Sequence, residues 1–192
     1  MRAAKGAGTN GSIAEKAGAL AKKTLADHEN SLVELLNVLT PHEETAVPVK
    51  LGGLVGDIVR FLRNDASGKS VALQLEADPA VSIRALPHRS KVAMLGLCAA
   101  IIDEVPAGSS VAITVGRRES LAFVEWKADG PIRAPSRPPS AWDPGRCPGS
   151  PYELLLANAW HWSSENGGRV ELPAHPPEPG IMRLYYPFHP SE

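Results

Sequence analysis

The stretch that decides the fold is Lys91-Val92-Ala93-Met94-Leu95-Gly96-Leu97-Cys98-Ala99-Ala100-Ile101-Ile102-Asp103-Glu104, followed by Val105-Pro106-Ala107-Gly108 and then Val111-Ala112-Ile113-Thr114-Val115. The first run reads as a helix, and Pro87 stands where a helix should begin. Val111 to Val115 reads as a strand. Its longest apolar run, Val92 to Ile102, is too short to span a bilayer.

Working outward towards the C-terminus, Leu121 to Trp126 reads as a second strand, paired with the first around Gly116-Arg117-Arg118-Glu119. Residues Ala128 to Pro151 carry seven prolines, which forbid a helix or a central strand. A helix from Tyr152 to Ser164 follows, ended by Asn166-Gly167-Gly168. Strands at Arg169 to Leu172 and Ile181 to Tyr186 close the pattern. Trp160 and Trp162 cannot both face inwards, since residues two apart on a helix point away from each other. One is expected in the core, the other as a surface anchor.

Towards the N-terminus, short strands are expected at Val81 to Arg84 and around Val71, Leu73 and Leu75, the latter exposing one face. Before them, Leu51, Leu54, Val55, Ile58, Val59 and Leu62 give helical spacing over about Lys50 to Asn64. Residues 13–45 are expected to form a helical segment in which Leu25, Leu32 and Leu39 fall a heptad apart, with Ala21, His28 and Leu35 at the other seam position. Pro41 closes the run. Such a narrow stripe implies a partner helix, from a second copy or from this chain. Residues 1–12 are small and polar and expected to be disordered. The expected class is α+β: a long N-terminal dimerisation helix, then residues 46–192 as an α/β sandwich, one mixed sheet with helices on one face.

The chain has 192 residues, 43% of them hydrophobic and 21% charged, ordinary for a soluble globular protein. A net charge of -1 gives no electrostatic reason to expect nucleic acid. Cys98 lies in an apolar helix and Cys147 in a Pro/Gly loop, so a disulfide framework is not expected, and a reducing cytoplasm is. There is no signal-peptide pattern, no membrane contact is expected, and no His or Cys pair has metal-ligand spacing.

The ordered set from Val49 to Pro187 resembles the catalytic, ATP-binding domain of histidine kinases, in the wider superfamily that includes gyrase, a heat-shock chaperone and a mismatch-repair ATPase. Val47-Pro48-Val49-Lys50-Leu51 resembles the lead-in to the first helix, and the Lys91–Glu104 run resembles the helix that carries the metal-binding asparagine. Asp129-Gly130-Pro131-Ile132 stands at the first glycine box, and Asn166-Gly167-Gly168-Arg169-Val170 resembles the Gly-Gly that ends the last helix. The departures fall on one function. Ala100 holds the asparagine position, and no asparagine occurs between Asn64 and Asn158. Ala128 stands where an aspartate should meet the adenine amino group. Ile132 replaces the second glycine, and Gly145 and Gly149 stand apart among prolines where the phosphate loop needs clustered glycines. The resemblance therefore implies a degenerate ATPase-like domain with no cofactor and no metal. It is similar to the bacterial histidine phosphotransferases that pair a helical dimer with a nucleotide-free domain of this kind.

That resemblance implies a docking partner, either a response-regulator receiver domain or a sensor kinase, and a homodimer through Leu25, Leu32, Leu35 and Leu39. A phosphoacceptor histidine must sit on a helix with one ring nitrogen free, and a neighbouring acid can orient the other. His28-Glu29 resembles the start of the family's phosphoacceptor motif, with Glu29 as the orienting acid. Val33 stands where the motif has proline, and only about twenty residues separate His28 from Val49 where the family fits two helices. Two readings stay open: His28 relays phosphate, or it is an interfacial histidine in a non-catalytic adaptor or inhibitor. An active kinase of the superfamily, such as an anti-sigma kinase, is opposed by the missing asparagine.

Overall fold

A computed structural model describes residues 44–132, 151–172 and 180–190. All of them belong to the compact unit Glu43–Glu192. The residues expected to form the N-terminal helix, and the Pro-rich stretch around Gly145 and Gly149, lie outside the described residues. The elements in chain order are β1 (Val47–Lys50), α1 (Leu51–Gly68), β2 (Ala72–Ala77), β3 (Ser82–Ala85), α2 (Pro87–Glu104), β4 (Ser110–Arg118), β5 (Leu121–Ala128), α3 (Pro151–Glu165), β6 (Arg169–Glu171) and β7 (Ile181–Pro187).

Five strands form one mixed sheet in the order β2-β4-β5-β7-β6. The β2–β4 pair is parallel and the others are antiparallel. Strand alternation puts Val111, Ile113, Val115, Ala122, Val124, Trp126, Met182, Leu184 and Tyr186 on the buried face. The opposite face carries a cross-strand polar ladder. Arg183 Nε donates to Glu125 Oε2 at 2.6 Å, and the Tyr185 hydroxyl donates to Glu171 Oε2 at 3.1 Å. The helices cover the first face. This is the α+β sandwich expected from the sequence, with helices on one side of a mixed sheet. Among the described residues no helix is long and apolar enough to cross a membrane.

Helix α1 buries Leu51, Val55, Ile58, Val59, Leu62 and Ala66, the stripe its spacing predicts. It runs a turn beyond Asn64, because its stop lies at Ser70. Val71 N–H donates to Ala66 O at 2.8 Å and Ser70 N–H to Ser67 O at 3.0 Å, with Ser70 at φ 58. These two bonds make a Schellman turn, and Val71 and Ala66 are both buried in the core. Helix α2 starts at Pro87, and its first N–H groups meet a remote acid. His88 N–H donates to Glu44 Oε1 at 2.8 Å and Arg89 N–H to Glu44 Oε2 at 3.4 Å. A carboxylate there also suits the positive end of the helix dipole.

Strand β1, expected only as a lead-in, pairs antiparallel with β3 in a separate two-stranded sheet. Pro48 is tolerated because β1 is an edge strand. The β4–β5 strands are longer than expected, and the turn lies at Glu119 and Ser120. Gly116, expected in the turn, is in the strand. A Cβ there would lie 2.8 Å from Phe123 Cζ on the neighbouring strand, so its smallness makes room for an aromatic ring.

Candidate functional site

Ala128, the last residue of β5, is fully buried on the helix-facing side. Asp129 follows it and therefore points the other way, into solvent. Its carboxylate Oδ2 accepts Ser110 N–H at 2.9 Å and Ser110 Oγ–H at 3.1 Å. The Ser110 backbone N–H is the main reason its carboxyl is held below the usual range. The chain thus has an aspartate one residue after Ala128, and that one residue reverses the face it serves.

Ile132, at the second glycine position, is 3% exposed and belongs to the core. It lies directly against Gly180, where a Cβ would come within 2.3 Å of Ile132 Cγ1. Backbone bonds hold the pair: Ala128 N–H donates to Gly180 O at 2.9 Å and Gly180 N–H to Gly130 O at 3.3 Å. On α2, Ala100 is fully buried, and Gly96 lies so close to α3 that a Cβ would stand 3.4 Å from Leu155 O. The resemblance implies a carboxylate, an amide and a glycine for nucleotide contact at the positions that Ala128, Ala100 and Ile132 hold here, all three of them buried. Among the described residues no group of three or more His, Cys, Asp or Glu could hold a metal ion. Among the described residues, the side chains of Ala100, Ala128 and Ile132 offer no donor or acceptor to a magnesium nucleotide. Burial pushes the Cys98 thiol up to about 12, away from the thiolate form.

Sequence similarity gives no match, either to a family model or to a curated protein. Structural similarity does. The catalytic domain of histidine kinase ThkA, in a nucleotide-free form, superposes with a TM-score of 0.62 at 13% identity, covering 77% of this chain and 99% of that one. The fold is that of a histidine-kinase catalytic domain. The mycobacterial sensor histidine kinase MprB gives a TM-score of 0.58 at 18% identity, over 77% of this chain and 100% of that one. Full-length ShkA, solved with AMPPNP, gives 0.65 at 17% identity, over 92% of this chain and 39% of that one. The histidine-kinase resemblance read from the ordered sequence motifs is therefore matched by the architecture.

A second polar cluster in this histidine-kinase-like domain sits where the start of α2 meets the end of α3. Asn166 staples the two ends together: its Oδ1 accepts Leu86 N–H at 2.9 Å and its Nδ2 donates to Trp162 O at 2.8 Å. Arg89 Nη1 donates to Glu165 Oε2 at 2.5 Å, and its guanidinium lies 4.9 Å from the centre of the Trp162 ring. His161 Nε2 lies 3.4 Å from Glu165 Oε1, and its ring is 4.8 Å from that of Trp162. Beneath this corner the hydroxyls of Ser90, Ser163 and Tyr186 are buried and face one another outside hydrogen-bond geometry. Burial pushes the Tyr186 phenol up to about 12.

The site residues expected from the sequence, His28, Glu29, Leu25, Leu32, Leu35 and Leu39, lie outside the described residues. The tryptophan expectation needs correction. Trp160 and Trp162 are both half-buried and both pack against the core, so neither is fully inside and neither stands free. Arg89 covers the outer face of Trp162, a tertiary contact that helical spacing alone does not encode. The His161–Glu165 pair does have a sequence signal, an acid one turn after a histidine. Arg89, some seventy residues away, has none.

Proposed function

We propose that this chain is a nucleotide-free, histidine-kinase-like protein of two-component signalling, cytoplasmic and homodimeric through the 13–45 segment. Its ATPase-like domain docks a response-regulator receiver or a sensor kinase. The observation that carries this reading is coordinated loss on an intact scaffold. Ala100, Ala128 and Ile132 replace three different kinds of nucleotide contact, while the sheet and helices keep their arrangement.

Within this reading His28 accepts phosphate from a receiver aspartate, oriented by Glu29. Neutral imidazole attacks the phosphorus, the N–P bond forms, and the aspartate leaves as its carboxylate. Incubating the full chain with a radiolabelled phospho-receiver tests the relay. The expected result is acid-labile label on the chain that disappears in His28→Ala. Stable binding of the receiver without transfer of label would instead support the non-catalytic adaptor or inhibitor, and neither binding nor transfer would sink both readings.

A further inference from the structure

We propose that His161 is itself a phosphoacceptor for acyl phosphates, with Glu165 as its positioning acid. The inference rests on the two-component reading above, but it concerns a different residue and a different domain from His28. The side chain of His161, one turn before the end of α3, is 61% exposed and open to a large phosphodonor. Glu165 lies one turn further on and is held from both sides. One oxygen faces His161 Nε2 at 3.4 Å and the other accepts from Arg89 Nη1 at 2.5 Å. Arg89 is in turn steadied against Trp162. A fixed carboxylate beside Nε2 favours the tautomer with the proton on that nitrogen, which leaves the lone pair on Nδ1.

His189 provides the contrast. Its Nδ1 donates to the Pro190 carbonyl at 2.9 Å, so its lone pair lies on Nε2, but the ring is oriented by a neutral carbonyl and not by a carboxylate that can take up charge or a proton.

In the transfer, the Nδ1 lone pair of neutral His161 attacks phosphorus. The N–P bond forms as the P–O bond to the acyl group breaks, and the acyl group departs as a carboxylate. The imidazole ring becomes cationic, and the Glu165 carboxylate neutralises that charge or takes the Nε2 proton. The C-terminal end of a helix disfavours an added anion. Arg89 offsets this, because a guanidinium has five N–H donors and Glu165 engages a single one at hydrogen-bond distance.

The test uses the full chain and radiolabelled acetyl phosphate, an acyl phosphate of the same class as a phosphorylated aspartate. Label is mapped to individual histidines in the same molecules. The expected result is acid-labile label on His161 at about tenfold or more the level on His189. It should vanish in His161→Asn, persist in His28→Ala, and fall several-fold in Glu165→Gln. Because the ratio of the two sites is read in the wild-type chain, the result does not depend on how well a variant folds. Equal labelling of His161 and His189 would mean ordinary imidazole reactivity and would overturn the assignment. Label on His28 without label on His161 would overturn it too, while leaving the relay reading intact. Absence of acid-labile label anywhere would also overturn it and would count against relay through His28 at the same time.

Discussion

Ser70 occupies a left-handed backbone conformation, φ 58, at the position where helix stops most often carry glycine. A side chain there costs about 1–2 kcal/mol against the steric limit, part of which glycine returns in greater unfolded-chain freedom. Ser70→Gly should therefore stabilise the domain by up to about 1 kcal/mol, read as a higher urea midpoint at unchanged slope. Asp129 gives a pH prediction. Its folded-state pKa is depressed, chiefly by Ser110 N–H, so its contribution is present above the ordinary carboxylate value near about 4 and is lost as pH falls through the folded value. Asp129→Asn should lower stability slightly at neutral pH and flatten the acid limb of the stability profile below about pH 4. An unchanged acid limb in urea titrations would show that the Ser110 bonds contribute nothing. The same residue shows the limit of reading a motif by composition. Asp, Gly and Pro are present near the first glycine box, yet a shift of one position turns the carboxylate from the helix side to solvent.

At the level of elements, the Gly167-Gly168 pair does two separate jobs. Gly167 takes φ +69 at the end of α3, and Gly168 N–H donates back to Ser163 O at 2.8 Å. A Cβ on Gly168 would lie 2.5 Å from Tyr185 O and 3.0 Å from Ser163 O, both backbone atoms that cannot swing aside. Gly168→Ala should destabilise by about 2–4 kcal/mol, whereas Gly167→Ala, limited by backbone strain alone, should cost about 1 kcal/mol. Equal effects on the denaturation midpoint would show that crowding by β7 is not the reason for the second glycine. Most of these elements were legible in the sequence, because apolar spacing in Leu51 to Leu62 and alternation in Val111 to Val115 set a period directly. What was hidden depended on partners. Strand β1 exists by pairing with β3, and its own four residues carry little signal. Gly116 read as a turn because nothing local reveals Phe123 across the sheet. The stop of α1 at Ser70 was missed because a serine replaces the usual glycine.

Across the whole molecule, a fold shared with histidine-kinase catalytic domains survives at 13–18% identity. Core positions accept many apolar side chains of similar volume, so packing tolerates drift. Ligand contacts are less forgiving, since a carboxylate or an amide has no apolar substitute. That difference explains why segment order carried the fold and why single residues carried the functional argument. The corner built from Arg89, Trp162, His161 and Glu165 was only half legible, since spacing offers the histidine and its acid while tertiary folding brings the arginine. The proposed absence of nucleotide binding rests on Ala128 and Ala100, whose buried side chains carry no polar atoms, and on Ile132, which is seated on Gly180. Calorimetric titration of the full chain with magnesium-ATP tests it most directly. The account predicts no saturable heat of binding up to millimolar nucleotide; a saturable isotherm with a micromolar Kd would contradict it.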